Sequence, residues 1–141
     1  MAYYLDTSAA VKLIVAEAGS VALRSWLNGR ETEIVSSDLL RTELLRATRR
    51  GAPERMQRAR AVLDAVILLS LPSATFERAA DLDPESLRSL DALHLAAALE
   101  LGDELNGIIT YDNRLAEAAR ARGIEVIAPV DSQKELRRPR C

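Results

Sequence analysis

Four carboxylates in this 141-residue chain stand where ordinary packing does not call for an acid: Asp6, Glu43, Asp91 and Asp112. Asp6 directly follows a short strand-like run, Ala2–Leu5, and Asp112 directly follows another, 107–111. In an open parallel α/β sheet, ligands bind outside the carboxyl ends of the strands. The two aspartates are therefore candidates for one shared site. Each also has a plain alternative, since Asp6 can cap a helix beginning near Ser8 and Asp112 one beginning at Asn113.

Glu43 and Asp91 are read from helical geometry. At ~100° per residue, Leu39, Leu40, Leu44 and Ala47 span about 140° of arc, and Glu43 falls inside it. A carboxylate on a core-facing stripe is costly unless protonated, paired or bound to a metal. Arg41 and Arg46, the nearest partners in sequence, project elsewhere on the wheel. Asp91 opens the helical stretch 89–101, nearly opposite Glu100. With Glu100 in water, Asp91 faces inward above Leu95 and Ala98. The helix N-terminal dipole favours an acid in that turn by ~0.3–1 kcal/mol, which accounts for its position but not for its inward face.

Brought together, the four would form a dense acidic cluster in which each charge raises the pKa of the others. A divalent ion relieves that repulsion, and all-oxygen donors select Mg²⁺ or Mn²⁺. Such an ion can neutralise charge on a phosphoryl group and activate water. A serine–histidine or cysteine–histidine nucleophile is not needed, and the chain holds one histidine and one terminal cysteine, Cys141. His94, three residues after Asp91, reads as a packing residue rather than a ligand. The hydroxyls of Thr7, Ser8 and Thr110 sit beside the strand-end aspartates, where they can orient a water or satisfy helix-start backbone. Trp26 and the three tyrosines are too scattered to make a base-stacking platform.

The elements that must position these residues alternate along the chain. Strand-like runs are expected at Ala2–Leu5, 33–36, 66–70, 107–111 and 125–127. Helical spacing is expected over 8–16, Ser20–Leu27, 38–50, 53–65, 74–82, 89–101 and 113–122. That alternation predicts a parallel sheet with helices on both faces and right-handed crossovers. The length suits one domain of ~100–150 residues, and 48% hydrophobic with 28% charged residues is a globular composition. No apolar run approaches the ~20 residues of a membrane span, and the first residues lack the features of a signal peptide. With one cysteine, the expected setting is cytoplasmic, away from membranes.

Net charge is −2, but seven arginines lie between positions 41 and 60 against Glu43 and Glu54. A local basic excess can hold a polyanion, although arginines on exposed helices are often merely solvated. A second basic run, with Lys134, Arg137, Arg138 and Arg140, follows the point where the pattern ends at Pro129.

Four blocks of the sequence resemble the PIN-domain family, specifically the toxins of VapBC toxin–antitoxin pairs. They are Tyr4-Leu5-Asp6-Thr7-Ser8, Asp38-Leu39-Leu40-Arg41-Thr42-Glu43, Arg88-Ser89-Leu90-Asp91-Ala92-Leu93-His94-Leu95-Ala96, and Thr110-Tyr111-Asp112-Asn113-Arg114-Leu115. The resemblance implies a three-layer α/β sandwich with a five-stranded parallel sheet over residues 1–130, followed by a basic tail, 131–141. It implies a Mg²⁺- or Mn²⁺-dependent endoribonuclease that cuts structured RNA, tRNA or ribosomal RNA, and so inhibits translation and growth. By the same resemblance Asp6, Glu43, Asp91 and Asp112 would be catalytic and hold the metal, Asp6 and Asp91 most directly. Thr7, Ser8 and Thr110 would support them, and Arg41, Arg46, Arg49 and Arg50 would guide the RNA backbone. The expected partners are a VapB-type antitoxin and a second copy of the chain, giving a homodimer, or a heterotetramer or larger assembly with antitoxin. Two alternatives stand beside this. One is a catalytically silent PIN-fold module that binds RNA or a partner. The other is an aspartate-cluster phosphotransfer domain, which would want a second Asp where Ser8 stands and a suitable lysine beyond Lys12 and Lys134.

Overall fold

A computed structural model of the chain describes residues 1–132. Most of the expected basic tail, including Lys134, Arg137, Arg138 and Arg140, lies outside the described residues. Five strands form one sheet: β1 (Ala2–Leu5), β2 (Ile34–Ser37), β3 (Ile67–Leu69), β4 (Leu105–Ile109) and β5 (Val126–Ile127). All neighbours are parallel, in the order β3-β2-β1-β4-β5. The chain thus builds outward from β1 to β3, then returns to the other side of β1. That reversal puts a switch point between β1 and β4, where open sheets of this kind bind ligands.

Among the described residues, seven helices cover the sheet. They are α1 (Thr7–Val11), α2 (Ser20–Leu27), α3 (Leu39–Gly51), α4 (Met56–Ala65), α5 (Ser73–Ala80), α6 (Ser89–Leu99) and α7 (Asn113–Ala121). One core joins Leu5 and Ile109 to α1–α4 through Ala10, Leu23, Leu44 and Leu63. A second joins Tyr4 and Ile108 to α5–α7 through Ala79, Leu95 and Leu115. The α/β sandwich with helices on both faces is therefore as the alternation predicts. Because both faces are covered, the central strands read as near-continuous apolar runs.

Two details set how closely the layers approach. Helix α6 buries Ala92, Leu95, Ala96, Ala97 and Ala98, and its small side chains let it lie deep against the sheet. Gly107 in β4 leaves room for its neighbour, since a Cβ there would run into the Ile127 side chain and the Glu125 carbonyl. Among the described residues no helix is long and apolar enough to cross a membrane.

Several boundaries shift from expectation by a residue or two, α5 and α6 among them, each ending two residues early, and three departures show how the chain is arranged. Helix α1 ends at Val11 rather than near residue 16, because Lys12, Leu13 and Ile14 donate to the carbonyls three residues back and tighten the turn. The stretch 53–65 divides into a single 3-10 turn, Pro53–Arg55, and α4. Strand β4 runs Leu105–Ile109, two residues earlier than expected. The Tyr111 N–H leaves the ladder to donate to Ser8 Oγ, 2.9 Å away.

Candidate active site

Asp6 is held where β1 meets α1. It is 3% exposed, and both of its oxygens accept hydrogen bonds. Oδ1 takes the Ser8 hydroxyl at 2.7 Å and the Ala9 N–H at 3.1 Å, and Oδ2 takes the Thr110 hydroxyl at 2.8 Å. Burial pushes its carboxyl pKa up, opposed by the Ser8 and Thr110 hydroxyls, then His94 and the Ala9 N–H. Asp6 is thus also the α1 cap, as the plain alternative had it, and capping does not exclude the site.

Asp112 repeats the device after β4. Its Oδ1 caps α7 by accepting from Arg114 N–H at 2.9 Å and Leu115 N–H at 3.0 Å. Its own N–H donates to Thr110 Oγ1 at 3.1 Å, so Thr110 bridges the two strand-end aspartates. Thr110 is buried, and Ser8 contacts it at 3.3 Å.

Glu43 reaches the same end of the sheet from the middle of α3, whose buried stripe is Leu40, Leu44 and Thr48. Its Oε1 accepts from the Thr7 hydroxyl at 3.0 Å and lies 2.5 Å from His94 Nε2. Thr7, Ser8 and Thr110 each therefore touch one of the acids. Asp91, half-buried in the first turn of α6, accepts no hydrogen bond among those described. Its carboxyl pKa is raised by burial first, then by the charges of Asp112 and Asp6, with a smaller push from Glu43, while His94 opposes them. The four expected acids thus converge electrostatically from four elements. Glu100 at the far end of α6 is exposed, beside Arg78 at 3.7 Å.

The arginines divide. Arg46 and Arg50 line a groove of about 690 Å³ together with Thr7, Glu43, Phe76 and Leu90. Arg41 donates instead to Asp38 at 2.9 Å, and Arg49 is exposed without lining the groove. The segment after β5 is tied to Tyr111 and to the start of α2. The Tyr111 hydroxyl donates to the Pro129 carbonyl at 2.6 Å, and burial pushes its pKa up to about 12. Asp131 then caps α2 by accepting from Gly19 and Ala22 N–H groups at 2.9 and 3.0 Å, so ordered contacts continue to the first residue assigned to the tail.

Sequence reasoning reads His94 as packing. It is 2% exposed, but its ring nitrogens contact Glu43 and the Tyr4 hydroxyl, the latter at 2.7 Å. The signal available in sequence is its spacing of three from Asp91, which puts both on neighbouring parts of α6.

The donor set, all carboxylate and hydroxyl oxygen, suits a hard divalent ion. Among the described residues no three Asp, Glu, His or Cys side chains stand close enough to grip one ion, so the expected dense cluster is looser than a closed cage. No buried side-chain polar atom among them lacks a partner, so the unbonded oxygens of Glu43, Asp91 and Asp112 are open to solvent. Open oxygens on several walls fit an ion that keeps most of its waters and takes one or two carboxylates, the usual manner of magnesium.

The sequence and fold have known counterparts. The PIN domain family profile matches residues 3–121. The chain is 40% identical over 130 residues to ribonuclease VapC47 of Mycobacterium tuberculosis, covering 89% of this chain and 96% of that protein. It is 43% identical over 128 residues to ribonuclease VapC46 of the same organism, covering 91% and 98%. A solved toxin–antitoxin complex from Klebsiella pneumoniae contains a chain of like fold, with a TM-score of 0.70 and 20% identity, covering 94% of this chain and 100% of that one. With its strand-end aspartates, the α3 glutamate and these relatives in view, the chain belongs to the PIN-domain family, within its VapC group.

Proposed function

We propose that this chain is a divalent-metal-dependent endoribonuclease, the toxin of a toxin–antitoxin pair that cuts structured RNA and is silenced by a VapB-type antitoxin. The observation that carries this reading is the meeting of Asp6, Glu43, Asp91 and Asp112 at the switch point, beside a groove that bears Arg46 and Arg50. The relatives named ribonuclease VapC support the activity, and the antitoxin partner accords with the like-folded Klebsiella chain coming from a toxin–antitoxin complex.

In this mechanism Asp6 and Asp91 would hold Mg²⁺ or Mn²⁺, and Glu43 and Asp112 would complete its shell through bound water or orient the attacking water. A bound dication supplies positive charge against the phosphoryl oxygens and makes nearby water a better nucleophile. Ser8 and Thr110 keep Asp6 in one rotamer, so little reorganisation is left for the reaction itself. Arg46 and Arg50 contact the RNA backbone, with affinity that falls as salt rises. The rival phosphotransfer reading has no support in the arrangement, since the position two residues after Asp6 is Ser8, already spent on Asp6 and Tyr111.

The test is cleavage of total RNA by the purified chain with Mg²⁺, with EDTA, and with the Asp91→Asn variant. The proposal expects defined fragments in the first case and none in the other two. Equal cleavage by Asp91→Asn would remove the mechanism, and a parent inactive on every RNA yet able to bind it would favour the silent module.

A further inference from the structure

A line of buried polar groups runs under the carboxyl end of the sheet, from Ser37 through Tyr4 and His94 to Glu43. The Tyr4 hydroxyl lies 2.9 Å from Ser37 Oγ and 2.7 Å from His94 Nδ1. Burial raises the Tyr4 pKa strongly, so the phenol stays neutral. On the other side of the ring, Nε2 lies 2.5 Å from Glu43 Oε1 and 3.4 Å from Thr7 Oγ1. An N–H that faces a carboxylate donates, so His94 and Thr7 both donate to Oε1. Among the described residues no bond falls on Oε2, which is therefore open to solvent beside the groove that Glu43 lines.

A residue needed only to fill space here would be apolar, as Leu95 and Ala96 are beside it. Burying an imidazole is favourable only if its polar atoms are bonded, and both of its nitrogens are. Glutamate has three free torsions, and without such partners its carboxylate would sample several rotamers. Thr7 of α1 and His94 of α6 thus meet one oxygen of that α3 carboxylate, with Tyr4 of β1 and Ser37 of β2 behind the ring.

We propose that His94 is a positioning residue for Glu43: braced by Tyr4 and Ser37, it clamps Oε1 together with Thr7 and presents Oε2 to the site. This deepens the ribonuclease reading and rests on it for the ion that Oε2 would meet. The same logic orients ligating groups in metal sites generally, where removal of such a support costs ~10–100-fold in metal affinity or activity.

The experiment compares His94→Leu, His94→Gln and Tyr4→Phe with the parent by two readouts, the Mn²⁺ dissociation constant from electron paramagnetic resonance and kcat and KM on a fluorescent RNA. His94→Leu is expected to weaken Mn²⁺ binding and lower kcat by ~10–100-fold with KM unchanged, because the buried ring touches no RNA. His94→Gln, whose amide can still donate to Oε1, is expected to recover most of the loss. In a Glu43→Gln background the Leu substitution is expected to add nothing. Tyr4→Phe keeps the ring but removes the hydroxyl that bonds both Nδ1 and Ser37 Oγ, and is expected to give a smaller loss in both readouts, which keeps the test open if His94→Leu does not fold. Unchanged Mn²⁺ affinity in both His94→Leu and Tyr4→Phe would overturn the proposal, as would a Leu effect that adds in full to Glu43→Gln, or failure of Gln to rescue. A parent that cleaves no RNA, yet binds Mn²⁺ in a His94-dependent way, would overturn the ribonuclease reading and leave the positioning role standing.

Discussion

At the carboxyl end of the sheet, Asp6, Ser36, Ser37, His94 and Thr110 are polar and buried. At the amino end the polar groups are in water: the Met1 amino group pairs with Glu104 at 2.9 Å, the two side chains being 62% and 74% exposed. One fold thus carries two kinds of charge. At the carboxyl end burial raises the pKa values of Asp6 and Asp91, although the Ser8 and Thr110 hydroxyls oppose the rise at Asp6. At the amino end the ammonium beside Glu104 lowers its pKa by hydrogen bonding and charge, and solvent screens the pair. The difference separates groups whose placement costs stability from groups that merely decorate a surface, and it makes the first end the candidate functional site.

The largest expected effect at the carboxyl end is on activity. Asp6→Asn keeps an oxygen for Ser8 and Ala9 and an amide that can donate to Thr110, so the fold should survive. Loss of a charge that serves a metal-assisted step is worth several kcal/mol, and at ~1.4 kcal/mol per tenfold RNA cleavage should fall ~10²–10³-fold. Kinetics and a melting curve on the same sample check both halves. Retained activity would break the contrast between the two ends.

Away from that end the order reverses. Gly107→Val puts a side chain against Ile127 and the Glu125 carbonyl, an overpacking that costs ~1–3 kcal/mol. Denaturant unfolding should register the loss, while cleavage per folded molecule stays near the parent's. Activity lost together with full stability would show that the two ends are coupled.

A smaller effect is expected in the pH dependence of the metal-free protein. Asp6 and Asp91 have folded-state pKa values above the ordinary 3.8, so between that value and the folded one the folded state binds more protons than the unfolded. Stability from these two groups is then full at low pH and is lost as pH rises through the folded pKa. Asp6→Asn should therefore gain on the parent as pH rises above 3.8, levelling off beyond the folded pKa, in unfolding titrations with EDTA. A gain that shrinks with rising pH would reverse the sign and point to a carboxylate stabilised by its partners. The smallest effect belongs to Glu104→Gln, which should leave melting temperature and activity unchanged.

Much of this is legible in the sequence, for reasons that are local. Asp6 follows β1 directly, Asp112 follows the expected strand 107–111, and Glu43 and Asp91 break helical stripes. Spacing thus makes all four candidates, with helix capping the open alternative for the two strand-end aspartates. The supporting hydroxyls are neighbours of those acids. The role of His94 is hidden because its partners, Tyr4 and Glu43, are 90 and 51 residues away, and no short-range period encodes a bond between α6, β1 and α3. The early end of β4 is hidden for a similar reason, since the hydroxyl that draws the Tyr111 N–H off the ladder comes from Ser8, 103 residues earlier. Among the arginines, spacing marks a basic helix but does not separate Arg46 and Arg50, which face the groove, from Arg41, which Asp38 engages.

The central claim is that Asp6 and Asp91 jointly hold a hydrated dication at the switch point. Titration of the purified chain with Mn²⁺, followed by electron paramagnetic resonance, tests it without any substrate. The account predicts saturable binding in the parent that Asp6→Asn and Asp91→Asn each weaken strongly and that Glu104→Gln leaves untouched. Equal Mn²⁺ affinity in all four proteins would contradict it.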